Sequence, residues 1–215
     1  MKSITKQKPL EEIDRQLDGM DRVYLVGCGT CATMTRTGGR EEVLHMKEHL
    51  QGLGKMVTGW TVVPIACDEM TDTTLRESNG AIKNASCVMV MSCALGVHRL
   101  ASYIDKPVTP ALDTLFIGLE DGPGSFHEVC AQCGHCVLGF TAGICPVTMC
   151  HKHLLNGPCG GTNDGKCEID KTKDCAWTLI YQRLKDQGRL DVMRRYQPPG
   201  NSHVVPRPRI ARISP

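Results

Sequence analysis

Apolar residues in the first half of the chain follow two rhythms in turn. Around Leu10 to Leu17 they recur at amphipathic spacing. Val23-Tyr-Leu-Val-Gly27 is then a short apolar run that predicts a buried strand. From Arg40 to Leu53 the apolar positions are Val43, Leu44, Met46, Leu50 and Leu53, a helical spacing that ends near Gly52 and Gly54. Thr61-Val-Val-Pro-Ile-Ala66 predicts a second strand and Leu75 to Asn84 a second helix. Cys87-Val-Met-Val-Met-Ser92 is almost continuously apolar, as suits a strand covered on both faces. Leu112 to Leu119 is a fourth strand candidate. Strands alternating with helices imply an α/β fold with a small parallel sheet.

Beyond Leu119 this rhythm is lost. Glycines and cysteines dominate up to Cys175, which predicts a largely irregular and helical module. One clear helix follows at Ala176 to Gln187, with Trp177, Ile180, Tyr181 and Leu184 on one face and Gly188 at its C′ position. Three regions are expected: an α/β metal-binding domain over 1–120, a cysteine-rich domain over 121–198, and an extended tail over 199–215. The Gly-Pro-Gly segment within Asp121 to Ser125 is a plausible joint. From Arg183 to Pro215 there are eight Lys and Arg against two Asp and Glu. With its prolines, this end cannot build a core; it suits an extended strap across a partner subunit, or a solvated tail.

Composition changes the picture through one residue type. The 215 residues include thirteen cysteines, but aromatics make up only 4% and the formal charge is +2. That balance gives no general pull toward nucleic acid or membranes. No apolar run approaches the roughly 18 residues of a membrane span. Met1 to Leu10 lacks the apolar stretch of a signal peptide, so a cytoplasmic location is expected. There thiols stay reduced, and an odd count fits disulfides poorly. Clustered cysteines in that setting point to zinc or iron–sulfur chemistry.

The cysteines fall into two groups. In the first half, Cys28 and Cys31 follow strand one, Cys67 follows strand two and Cys93 follows strand three. Loops after parallel strands gather at one sheet edge, where open α/β folds bind ligands. These four thiols are therefore candidate ligands of one centre, iron–sulfur or zinc. Cys87 begins a strand and reads as a buried core residue. Unligated core cysteines are the bland alternative for the quartet. A third reading uses Gly27, Gly29 and Ala32, which match the G-x-G-x-x-A dinucleotide turn. The acidic partner expected about 20 residues later has no clear counterpart, since Asp68 lies well beyond.

The second group opens with Cys130-x2-Cys133-x2-Cys136-x8-Cys145-Pro146. Three thiolates at two-residue gaps can wrap three corners of a cubane, and a trailing Cys-Pro is a feature of bacterial ferredoxin runs. The longer last spacing means that ferredoxin ligand swapping cannot simply be copied over. Cys150, Cys159, Cys167 and Cys175 follow among glycine-rich turns. Eight thiols suffice for two [4Fe-4S] clusters; one cluster plus zinc, or zinc alone, are the alternatives. His127, His135, His151 and His153 are better suited to surface or hydrogen-bonding roles. The helix starting after Cys175 would turn its positive N-terminus toward an anionic cluster, or serve only as a packing element.

Five segments carry a family resemblance: Cys133-Gly-His-Cys136, Gly143-Ile-Cys-Pro-Val147, Leu154-Leu-Asn-Gly-Pro-Cys-Gly-Gly161, Gly165-Lys-Cys-Glu168 and Asp174-Cys-Ala-Trp177. They resemble the methylenetetrahydrofolate reductase C-terminal-domain family, and the whole chain looks like the small iron–sulfur subunits of acetogen-type reductases. The first half is also similar to the small subunit linking hydrogenase to heterodisulfide reductase in methanogens. The resemblance implies a flavin-containing MetF-type TIM-barrel partner that reduces methylene- to methyl-tetrahydrofolate in the reductive acetyl-CoA pathway. It implies an electron-transfer and scaffold role for this chain, with flavin in the partner only. A further donor, such as ferredoxin or another subunit, would feed it. The residues agree: three Phe, four Tyr and two Trp offer little to line a flavin pocket, and no acid–base pair or nucleophile stands in a motif. No catalytic residue is expected. A zinc-binding docking subunit of the same complex is the alternative.

Overall fold

Strands flanked by apolar residues on both sides build the first half of the molecule. In this computed structural model residues 2–69, 71–77 and 79–199 are described. They form two compact units, one ending at His127 and the other starting at Glu128. The tail expected from residue 199 lies, from residue 200 on, outside the described residues.

The first unit runs β1 (Lys2–Gln7), α1 (Leu10–Gln16), β2 (Arg22–Cys28), α2 (Cys31–Met34), α3 (Arg40–Gly52) and β3 (Met56–Val63). It continues with α4 (Thr71–Glu77), α5 (Asn79–Lys83), β4 (Cys87–Met91), α6 (Ala94–Ala101), β5 (Val108–Pro110) and β6 (Leu112–Glu120), and ends in β7 (Phe126–Glu128), whose last residue opens the second unit. Four strands form a parallel sheet in the order β3-β2-β4-β5. Alternation along the two central strands serves both faces. Val23 and Leu25 of β2 join Cys87, Met89 and Met91 of β4 against Ile13 and Leu17 and against Val43, Met46 and Leu50 of α3. The intervening Tyr24, Val26, Val88 and Val90 pack with Leu75, Ile82, Ala85 and Leu100. Helices therefore cover both faces, and the continuous apolar run at Cys87–Met91 follows from that double burial.

Three details differ from the sequence pattern. The second parallel strand begins at Met56, earlier than Thr61, and stops at Val63 before Pro64. It is the sheet's outer strand and mostly half-buried, so Thr58, Gly59 and Thr61 dilute its apolar signal. Leu112 to Glu120 is a strand but does not extend the parallel sheet. It pairs antiparallel with β1 in a separate sheet ordered β1-β6-β7, and the fourth parallel strand is the three-residue β5. Lys2–Gln7, with Ile4 as its one large apolar residue, carries no strand signal. Its strand is secured by the β6 ladder and by ion pairs from Lys2 to Glu120 and from Lys8 to Asp113. The Gly-Pro-Gly segment turns the chain from β6 into β7, closed by Asp121 N–H to the Ser125 carbonyl at 2.8 Å.

The second unit has little regular structure: α7 (Pro146–Met149), α8 (Ala176–Asp186) and short 3-10 turns. Its core is Ile144, Trp177, Ile180, Leu184 and Val192. Burying the three large α8 side chains contributes about 1.5–3 kcal/mol each. Tyr181 does not share this face as the spacing suggests; it is 46% exposed at the edge of the stripe. Gly188 ends the helix with φ +66°, as expected at C′. Trp177 donates its indole N–H to the Leu154 carbonyl at 3.0 Å, and Arg183 binds the Ala142 carbonyl at 3.1 Å, tying the loops to α8. The architecture is thus the expected mixed α/β one, with a parallel sheet and a cysteine-rich helical region. Among the described residues, no helix is long and apolar enough to cross a membrane.

Candidate metal centres

All thirteen cysteines are free thiols. In the parallel sheet the first strand in chain order, β2, lies between the second, β3, and the third, β4. The connections therefore leave in opposite directions between β2 and β4, opening a crevice at the carboxyl edge of the sheet. Cys28 ends β2, Cys31 opens α2, Cys93 caps α6 directly after β4, and Cys67 follows β3. Cys28 and Cys93 are buried, Cys31 half-buried and Cys67 exposed. Burial pushes the Cys67 thiol up, and the Cys93, Cys28 and Cys31 thiols facing it push the same way. Cys67 thus lies within electrostatic reach of the other three thiols expected at the strand ends, and Cys28 also meets the Thr30 hydroxyl at 3.3 Å.

At the rival dinucleotide turn, Cys28 N–H donates to the Gly38 carbonyl at 2.9 Å and Gly29 N–H to the Val63 carbonyl at 2.8 Å, so both amides are already bonded within the unit. The helix that follows has four residues, too short for a strong N-terminal dipole. Cys87 sits at the far end of the sheet, fully buried, and burial pushes its thiol up to about 11.

In the second unit, Cys130, Cys133 and Cys136 lie on an irregular loop turned by Gln132 at φ 51° and Gly134 at φ 77°. The Cys130 sulfur accepts the Gln132 N–H at 3.4 Å. Cys145 caps the start of α7 and receives the Thr148 hydroxyl at 3.6 Å. Cys150, Cys159, Cys167 and Cys175 line a single concavity of about 360 Å³, its open mouth included. Isolated β-bridges hold part of its wall: Asn163 pairs with Lys166, and Lys166 with Asp174. Burial acts to raise the Cys175 thiol. The hydroxyl and N–H of Thr178, the Trp177 N–H and the Thr162 hydroxyl outweigh it and hold that thiol below its ordinary value.

Some residues around the sulfurs were not evident from spacing. Lys152 and Glu168 form an ion pair in the wall of the concavity, and Cys159 Sγ lies 3.5 Å from Glu168 Oε1. Lys152 comes two residues after Cys150 and Glu168 directly after Cys167, a positional signal visible only once the wall is known. Among the histidines, His151 lines the concavity, while His153 turns Nδ1 to the Val147 carbonyl and His127 meets the Ser125 hydroxyl.

Among the described residues, no group of three or more His, Cys, Asp and Glu side chains is gathered tightly enough to hold a metal ion as it stands. The donor sets are nonetheless all-thiol, the ligand chemistry that fits iron–sulfur clusters or structural zinc. No curated protein and no solved structure matches the chain. Residues 109–203 match the family model described as Methylene-tetrahydrofolate reductase C terminal, and this stretch, with all eight cysteines of the second group, is thereby related to methylenetetrahydrofolate reductase.

Proposed function

We propose that the chain is a MetV-type subunit that passes electrons to the flavin of a MetF-type methylenetetrahydrofolate reductase and helps hold that complex together. The observation that carries this reading is the coincidence of the family match over 109–203 with eight cysteines inside it. Cys130, Cys133, Cys136, Cys145, Cys150, Cys159, Cys167 and Cys175 would hold two [4Fe-4S] clusters. Cys28, Cys31, Cys67 and Cys93 would hold a third centre, iron–sulfur or zinc. Bound clusters supply one-electron transfer at potentials tuned by hydrogen bonds to sulfur and by burial.

The protein's own part is to place and dress the thiols. N–H groups of Gln132 and Gly161 meet the Cys130 and Cys159 sulfurs at 3.4 Å each. The Thr148 hydroxyl meets Cys145, and the surroundings of Cys175 favour its thiolate. Such donors stabilise negative charge on sulfur and so favour the reduced state of what the thiols hold. The exposed thiols of Cys130, Cys136 and Cys159 suit exchange with a partner at the surface.

Iron and acid-labile sulfide analysis with electron paramagnetic resonance, on anaerobically purified and dithionite-reduced protein, tests the reading. The expected result is brown protein with cubane signals in the reduced state, able to reduce the flavin of its copurified partner. Colourless, iron-free, zinc-replete protein would replace the redox role by a docking role.

A further inference from the structure

We propose that Cys150, Cys159, Cys167 and Cys175 hold one metal centre and Cys130, Cys133, Cys136 and Cys145 the other, so that the two quartets follow one another along the chain and exchange no ligand. The inference rests on the reading that this module binds metal, and it adds which thiols act together.

Four observations carry it. The concavity in the second unit is lined by Cys150, Cys159, Cys167 and Cys175 and by no other cysteine. Its wall is hydrogen-bonded across the chain: Cys175 N–H donates to the Gly165 carbonyl at 2.7 Å and Cys167 N–H to the Lys173 carbonyl at 2.9 Å. These bonds set the Cys167 and Cys175 backbones on the same short ladder, at the N-terminus of α8. Cys150 and Cys175 also pack on the same apolar core, with Trp177 and Ile180, which ties their positions to one another. Finally, α7 separates Cys145 from Cys150. Cys145 caps its start and Cys150 its end, and of the two only Cys150 borders the concavity.

The last point bears on the Cys-Pro pair. In two-cluster ferredoxins the cysteine before proline serves the other cluster. Here Cys145 is absent from the concavity lining while the cysteine at the opposite end of α7 is present. Cys145 is assigned with Cys130, Cys133 and Cys136 by elimination, since it does not border the concavity. The eight-residue gap from Cys136 to Cys145 includes the turn at Ala142 and Gly143, both at positive φ, which reverses the chain toward α7.

The test is pairwise loss in the full chain, purified anaerobically and assayed for iron, zinc and acid-labile sulfide. Two ligands of one centre removed together should cost one centre; two ligands of different centres should cost two. C159S/C167S and C133S/C136S are each expected to lose one centre's metal, and C136S/C167S to lose two. Loss of two centres in C159S/C167S, or of one in C136S/C167S, overturns the grouping. A measurement on the unaltered protein covers variants that fail to fold. Metal is withdrawn stepwise with a chelator and exposed thiols are alkylated and mapped by mass spectrometry. Cys150, Cys159, Cys167 and Cys175 should become reactive together; Cys145 reacting with them, or Cys150 reacting with the Cys130 group, overturns the proposal. Zinc in place of iron with the same pairing upholds the grouping and removes the redox reading. Iron with a different pairing does the reverse, and a module with no metal removes both.

Discussion

At Cys159 three side chains meet that can set the behaviour of a centre. Glu168 Oε1 lies 3.5 Å from the sulfur, and Lys152 pairs with that carboxylate. Lys152 holds the Glu168 carboxyl below its usual range, with Cys159 adding to the effect, and Glu168 in turn raises Lys152. A reduced centre carries one more negative charge than an oxidised one, so a fixed cation nearby favours reduction and a bare carboxylate opposes it. Lys152→Gln should move the midpoint potential of the concavity centre to more negative values, and Glu168→Gln should move it to more positive ones. Potentiometric titration followed by electron paramagnetic resonance reads both; three equal potentials would remove these residues from any tuning role. Gly161 supports the same pair, because a Cβ there would fall 1.5 Å from Glu168 Oε2. Gly161→Ala should therefore displace the carboxylate and shift the potential in the direction of Glu168→Gln. The cysteine spacing was legible in the sequence because it is local. Lys152 and Glu168 were not, because their neighbourhood exists only after the loops fold together.

The strands decide where the first-unit thiols stand, and one glycine shows how tightly. A Cβ on Gly38 would lie 2.0 Å from the Met91 carbonyl oxygen, a backbone atom that cannot step aside. The Gly38 carbonyl also accepts the Cys28 N–H, so the same residue fixes the loop carrying Cys28 against the end of β4. Gly38→Ala should cost about 3 kcal/mol through backbone displacement, read as a lower urea midpoint, and should loosen the Cys28 and Cys93 loops together. Wild-type stability in this variant would mean that the approach is slack. At the opposite end of β4, Cys87 makes a pH prediction. The unfolded chain releases this proton near 9.0, whereas the buried thiol holds it to about 11. Stability contributed by Cys87 is therefore complete below pH 9.0 and is lost as pH rises toward 11, amounting to about 2–3 kcal/mol in all. Cys87→Val should remove that alkaline slope; an unchanged slope would assign it to other groups. Strands buried on both faces, β2 and β4, were readable because the apolar run is their whole environment. The edge strand β3 and the short β5 were not, since half-exposed backbone places little demand on side chains. β6 was readable as a strand but not as β1's partner, because register is a long-range property.

The two units draw on unequal resources. The first buries two apolar clusters, one on each face of its parallel sheet, whereas the second has the five-residue core around α8. Small units with so little core usually depend on metal or disulfides. Chelator treatment of the full chain should therefore unfold the second unit while the first keeps its sheet. Limited proteolysis would show new cuts between 128 and 175 and a protected fragment ending near His127. Equal resistance before and after chelation would show that the small core suffices. The division into two units was partly legible in the sequence, because the cysteine-poor and cysteine-rich halves differ in what they can fold around. The position of Cys175 has a consequence for biosynthesis. It is the last cysteine in the chain, and it stands at the start of the helix that supplies Trp177, Ile180 and Leu184 to the core. Until the ribosome has released α8, seven earlier thiols of this unit emerge without the helix they fold against. On the proposed function, loading and closure become a single late event, and oxygen has the whole preceding interval in which to reach them.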